Sequence, residues 1–112
     1  MFERGDIVWV YFDLPRQTET KVHPAIIISN ESVYDGDGVY VCVMMTTDED
    51  TDKFSFVVTQ EMLEFYMKKD FSQVRCHLIT YIKESHCLKT KLNKMKEIHV
   101  NRLVSHINNV TF

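Results

Sequence analysis

The chain has 112 residues, 45% of them hydrophobic and 26% charged, a balance ordinary for a folded globular protein that excludes wholesale disorder. A formal charge of -3 argues against a generic nucleic-acid coat, although the uneven spread, acidic at positions 48–52 and basic after position 68, leaves a local basic groove open. The length predicts one domain, residues 1–112, with a core marginal enough to benefit from a partner subunit.

Glu3, Arg4, Asp6 and Asp13 leave no room for a signal-peptide core, and no apolar run approaches membrane-spanning length, so the expectation is a cytoplasmic protein with no membrane contact. Three cysteines, Cys42, Cys76 and Cys87, form no CxxC pair, and reduced thiols are expected rather than a disulfide framework.

Residues 7–12 (IVWVYF) are apolar at every position and predict a strand buried on both faces, with Trp9 in the core. A long polar loop over 14–23 follows, without helical period; a loop of that length in so short a chain is more often functional than idle. The second strand, 25–28, opens directly after Pro24, where proline costs no ladder bond. The run Tyr34-Asp35-Gly36-Asp37-Gly38 predicts a tight turn, and 39–46 (VYVCVMMT) a third strand, again apolar on both faces.

Residues 47–53 read as an acidic loop. Its Asp48, Asp50 and Asp52 alternate like the start of a calcium loop, but Lys53 and Thr59 stand where that loop needs glycine and glutamate. A fourth strand is predicted at 54–58, then a short helix at 60–68 capped by Thr59. In the next strand, 73–82 (QVRCHLITYI), Arg75 and His77 are two residues apart and so face the same side. A loop over 83–91 with one more short strand near 87–89 leads to a final helix at 94–108, where Met95, His99, Leu103 and Ile107 form an apolar stripe. Short strands closed on themselves with a terminal helix on top predict a mainly β fold, a small SH3-like barrel with a short helix and a C-terminal α-helix.

The opening Gly5-Asp6-Ile7-Val8-Trp9, a polar loop, then Pro24-Ala25-Ile26-Ile27-Ile28 resembles the start of toxins of the MazF/PemK type. The third strand ending in Met45-Thr46-Thr47, the run from Val74 to Ile82, and the closing stretch from Lys91 to Leu103 are similar to the family's elements in the same order. Two positions depart: His23 stands where the family has Arg before the proline, and His77 where it has Asp after the VRC motif. The resemblance implies the CcdB/PemK-type barrel, a homodimer, an endoribonuclease that cuts single-stranded RNA, and a cognate antitoxin whose flexible segment fills the RNA groove.

Metal-independent RNA cleavage deprotonates a 2′-hydroxyl, stabilises the phosphorane and protonates the leaving 5′-oxygen. Histidines suit the proton transfers near neutral pH, an arginine fork suits phosphate oxygens, and a threonine hydroxyl adds a donor where charge develops. The catalytic candidates are therefore His23 and His77 for acid/base work, with Arg75 and Thr46 on the phosphate. Of these, only Thr46 and Arg75 match the family's own residues. Arg16, Gln17, Thr18, Lys21 and Thr47 are the RNA-binding candidates, and Tyr11 and Phe12 bracket the polar loop where they can line a groove for unstacked bases.

No cofactor or metal is expected. Cys76-His77 and His86-Cys87 match no common zinc spacing, since adjacent strand residues point to opposite faces. His86, His99 and His106 read as structural or surface residues, and Arg75 has an ordinary alternative in an ion pair with Asp13 or Glu19. The competing class is a non-catalytic barrel: a CcdB-like gyrase inhibitor, or a MazF-like chain that has lost cleavage. The tail Asn108-Asn109-Val110-Thr111-Phe112 lacks the Trp often found at the end of the helix in the gyrase poisons.

Overall fold

A computed structural model describes residues 1–12, 21–67, 71–87 and 90–112. Their strands form one antiparallel sheet from β1 (Asp6–Phe12), β2 (Lys21–Ile27), β3 (Val39–Thr46), β4 (Ser55–Val57), β5 (Gln73–Lys83) and β6 (Asn93–Lys94), in the order β4-β5-β3-β2-β1-β6. Two helices, α1 (Glu31–Asp37) and α2 (Glu97–Thr111), complete a mainly β architecture in which the sheet curls into a half-barrel.

Strand alternation splits the core in two. One face carries Ile7, Ile26, Val43, Met45, Val74 and Cys76 against Val100, Leu103 and Ile107 of α2. The opposite face carries Val8, Val10, Ala25, Ile27, Tyr40, Cys42 and Ile82. Burial on both faces is why the central strands lack a polar period. The reading of β1 holds over Ile7, Val8 and Val10 and fails at its end, where Trp9 is half-buried and Tyr11 exposed.

Several predicted elements differ. The turn expected at 34–38 is the end of α1: Asn30 stands extended before it, and Gly38 (φ 68°) closes it by donating its N–H to the Tyr34 carbonyl at 2.7 Å. The positive φ signalled by Asp-Gly is real, but it serves as a helix C-cap rather than a hairpin. The second strand begins earlier than expected, at Lys21, because Val22 and His23 continue the ladder opposite Tyr11 and Val10.

The helix expected at 60–68 is a single 3₁₀ turn, Gln60–Met62. The chain beyond it is drawn out along the segment after β6: Leu63 bridges Met95, the Glu64 N–H donates to Lys94 O (2.9 Å), and the Lys96 N–H donates to Met62 O (2.8 Å). The same bonds keep residues 93–96 extended, so α2 starts at Glu97 and its buried stripe is Val100, Leu103 and Ile107. Met95 still reaches the core, from outside the helix. Of the strand expected near 87–89, the described part is a bridge of Cys87 to Val10.

Among the described residues no helix is long and apolar enough to cross a membrane.

Candidate functional site

The site is built where β3 and β5 part. From Val39↔Lys83 to Val43↔Ile79 the two strands run in one register; at Met45↔Val74 and Thr46↔Gln73 they run in another, with extra β5 residues accommodated between Val74 and Ile79. That bulge contains Arg75, Cys76, His77 and Leu78, and such irregularities re-aim side chains. Beyond it β5 is held from its other edge by β4, with Ser55 opposite Arg75.

Alternation through the bulge keeps Val74 and Cys76 in the α2-side core. Gln73 and Arg75 therefore fall on the opposite face, as does Thr46 across from Gln73, while His77 lies past Cys76 in the part of the bulge where alternation is broken. His23 lies on that face too, since it shares it with Ala25 two residues on, and Ala25 is paired with Met44. The pleat thus brings Thr46, Arg75 and His23 to one face of the sheet, the one turned away from α2.

Contact is narrower than this shared face. Thr46 and Arg75 line one cavity of about 310 Å³ together with Asp52 and Gln73; His23 and His77 do not line it. Arg75 is already engaged. Its Nη1 donates to Asp52 Oδ1 at 2.9 Å and its Nη2 to Asp52 Oδ2 at 2.8 Å, a parallel fork, while Nη1 also reaches Ser55 Oγ and Gln73 Oε1, each at 3.1 Å. The guanidinium holds the Asp52 carboxyl down to about 2, and the carboxylate in turn raises the Arg75 pKa. Asp13 and Glu19, the partners considered for Arg75, lie outside the described residues.

Gln73 is the anchor beneath. It is 1% exposed, and its amide Nε2 donates to the carbonyls of Asp48 (2.8 Å) and Asp50 (2.7 Å), which ties the acidic loop to the floor of the cavity. Thr46 Oγ1 accepts the Asp48 N–H at 3.2 Å. Thr47 is exposed, and its carbonyl accepts the Ser72 hydroxyl at 3.3 Å.

His77 is exposed at the outer end of the bulge, its ring against Phe54 with centroids 4.3 Å apart. Burial lowers its pKa and the positive Arg75 lowers it further, with Asp52 opposing. His23 is half-buried on β2 opposite Val10. Arg16, Gln17 and Thr18 lie outside the described residues, as do the side chains of Lys21 and Phe12, whose backbones pair at the mouth of the polar loop. Among the described residues no group of His, Cys, Asp and Glu is placed to hold a metal ion.

Asp52, Ser55 and Gln73 are the site residues that sequence reasoning missed. Gln73 had a signal: it precedes Arg75 by two and so shares its face of the strand. Asp52 had none beyond its place in an acidic run, because only the chain path brings it to Arg75.

Solved structures share this fold, and three of them illustrate it. MazF from Deinococcus radiodurans superposes with a TM-score of 0.73 at 11% identity, covering 96% of this chain and 93% of that one. A MazE-MazF complex from the same organism gives a TM-score of 0.72 at 13% identity over 96% and 92% of the two chains. An endoribonuclease in complex with its cognate antitoxin, from a mycobacterial species, gives 0.67 at 13% identity over 96% and 90%. A search among curated protein sequences found no match. Residues 3–111 match the family described as PemK-like, MazF-like toxin of type II toxin-antitoxin system. With nearly its whole length matched and the sheet curled as in the solved MazF structures, the chain belongs to the PemK/MazF-like family of type II toxins.

Proposed function

We propose that this chain is a single-domain endoribonuclease toxin that cuts single-stranded RNA without metal and is neutralised by a cognate antitoxin. The observation that carries the reading is the meeting of Thr46 and Arg75 in one cavity on the sheet face that His23 shares, with His77 close enough to feel the charges of Arg75 and Asp52. Arg75 supplies a planar fork for two phosphate oxygens, and Thr46 a hydroxyl on the same anion. His77, held neutral by its depressed pKa, suits the role of base toward the 2′-hydroxyl, and His23 that of the acid at the 5′-oxygen. Arg16, Gln17, Thr18, Lys21 and Thr47 bind the RNA strand beyond the scissile phosphate.

Family membership and the antitoxin complexes among the neighbours support the partner. A homodimer is supported by exposed apolar side chains, Tyr11 paired with Val22 on β1 and β2 and Tyr81 on β5, which a second copy would cover.

The test is incubation of the purified protein with a long single-stranded RNA in EDTA, read on a denaturing gel beside Arg75→Ala and the double variant His23→Ala/His77→Ala. Discrete fragments that disappear in both variants support the proposal. RNA left intact at every protein concentration overturns it, and fragments undiminished in the double variant overturn the histidine roles.

A further inference from the structure

One wall of the cavity that holds Thr46 and Arg75 is the acidic loop, and that wall engages the arginine itself. Asp52 presents two carboxylate oxygens to the two terminal nitrogens of Arg75 at 2.9 and 2.8 Å, the arrangement a phosphate would adopt on the same fork. The carboxylate is positioned from its own side by a tight turn. Asp52 Oδ1 accepts the Phe54 N–H at 2.9 Å, and the Asp52 N–H donates to Ser55 Oγ at 3.0 Å. The loop upstream is pinned to the same cavity, with the Asp48 N–H on Thr46 Oγ1 and the Asp48 and Asp50 carbonyls on Gln73. Each donor or acceptor that would meet the scissile phosphate is thus in contact with residues 48–52.

We infer that Asp52 is an internal phosphate mimic, and that the loop of residues 47–53 is a strap closed over a phosphate-binding site that a phosphodiester must displace. The inference rests on the proposed phosphate role of Arg75.

Three features favour a displaceable strap over a permanent buttress. The Asp52 side chain is 52% exposed while that of Arg75 is 17% exposed, so the carboxylate is the solvent-side partner and Arg75 the fixed one. An ion pair open to solvent on one side contributes little to stability, so a ligand offering the same two acceptors can replace it. Gln73 grips the strap through carbonyls of Asp48 and Asp50 and leaves Asp52 joined to the site through its carboxylate. Hinging at Asp50–Asp52 can free Arg75 without breaking the anchor beneath.

The experiment follows the Arg75 Nε–Hε resonance by NMR during titration with inorganic pyrophosphate. In parallel it follows fluorescence anisotropy of a labelled single-stranded 2′-O-methyl RNA, which lacks the nucleophilic hydroxyl and stays intact. The variants are Asp52→Asn, which keeps the turn acceptor for Phe54 but not the charge, and Asp50→Asn as a charge-matched control. Asp52→Asn is expected to bind pyrophosphate about fivefold more tightly at low salt, the gain shrinking as salt rises, with Asp50→Asn changing little. Unchanged or weaker binding in a folded Asp52→Asn protein overturns the inference, since a buttress would be lost rather than a competitor. An equal gain in Asp50→Asn also overturns it, because net charge alone would then explain the effect. A pyrophosphate gain without binding of the oligonucleotide by any variant sinks the RNA reading and leaves the strap standing.

Discussion

Arg75 and His77 show how one irregularity sets the chemistry of individual side chains. Because Arg75 offers a planar fork, Arg75→Lys is not a conservative change at this site: a lysine is a point charge without the parallel donor pair. Both Arg75→Ala and Arg75→Lys are expected to slow RNA cleavage on the order of 10²-fold or more, measured in single turnover at saturating protein, with the far-UV spectrum unchanged. For His77, burial and the nearby guanidinium favour the neutral ring. The acid limb of the pH–rate profile, if His77 is the base, therefore lies below the ordinary histidine value, and Asp52→Asn shifts it lower still by removing the one opposing charge. The stability consequence has a definite sign. The unfolded chain binds a proton at a higher pH than the folded one does, so stability falls as pH drops through the ordinary histidine range. His77→Gln is expected to flatten that segment of a urea midpoint-versus-pH curve.

At the scale of elements, the strands were legible and the helices less so. The span of β3 is predicted without error because its eight residues are apolar on both sides and bounded by Gly38 and an acidic loop. The predicted helix at 60–68 fails for a reason propensity does not contain: the backbone of 62–64 is spent on hydrogen bonds to 94–96, a segment distant in the chain. The same competition moves the start of α2 and replaces His99 by Val100 in its buried stripe.

Two substitutions test this joint. Gly5 sits at φ 94°, and a Cβ there would meet the Met95 carbonyl oxygen at 2.9 Å, so Gly5→Ala strains the backbone and presses on the segment that leads into α2. A loss of roughly 1–3 kcal/mol is expected in chemical denaturation. Leu103, fully buried between α2 and the sheet, is expected to cost about 2–5 kcal/mol on replacement by Ala, read in the same way. A Leu103→Ala loss below 1 kcal/mol would mean that α2 is not clamped to the sheet as described.

For the whole molecule, the division of the core into two faces governs access. Burial pushes the Cys42 thiol up to about 12 and that of Cys76 up to about 11, one on each face of the sheet. Both are expected to resist an aromatic disulfide reagent in the native state and to react together on global unfolding, so that their protection reports cooperative opening. Reaction of either one under native conditions at the rate of a free thiol would show that one face opens independently.

The sequence by itself determined where the central strands lie, that the fold is mainly β, and which family the chain resembles, because burial on both faces writes long apolar runs. It also singled out Thr46 and Arg75, through their match to the residues of the family the chain resembles, and the strand pleat put Gln73 on the same side as Arg75. It could not show that Asp52 closes on Arg75, that Gln73 lies beneath both, or that residues 62–64 run beside 94–96 instead of coiling. Those are contacts between segments distant in the chain, and they are chosen by which backbone and charged groups find partners once the sheet has curled, a competition that no local pattern records.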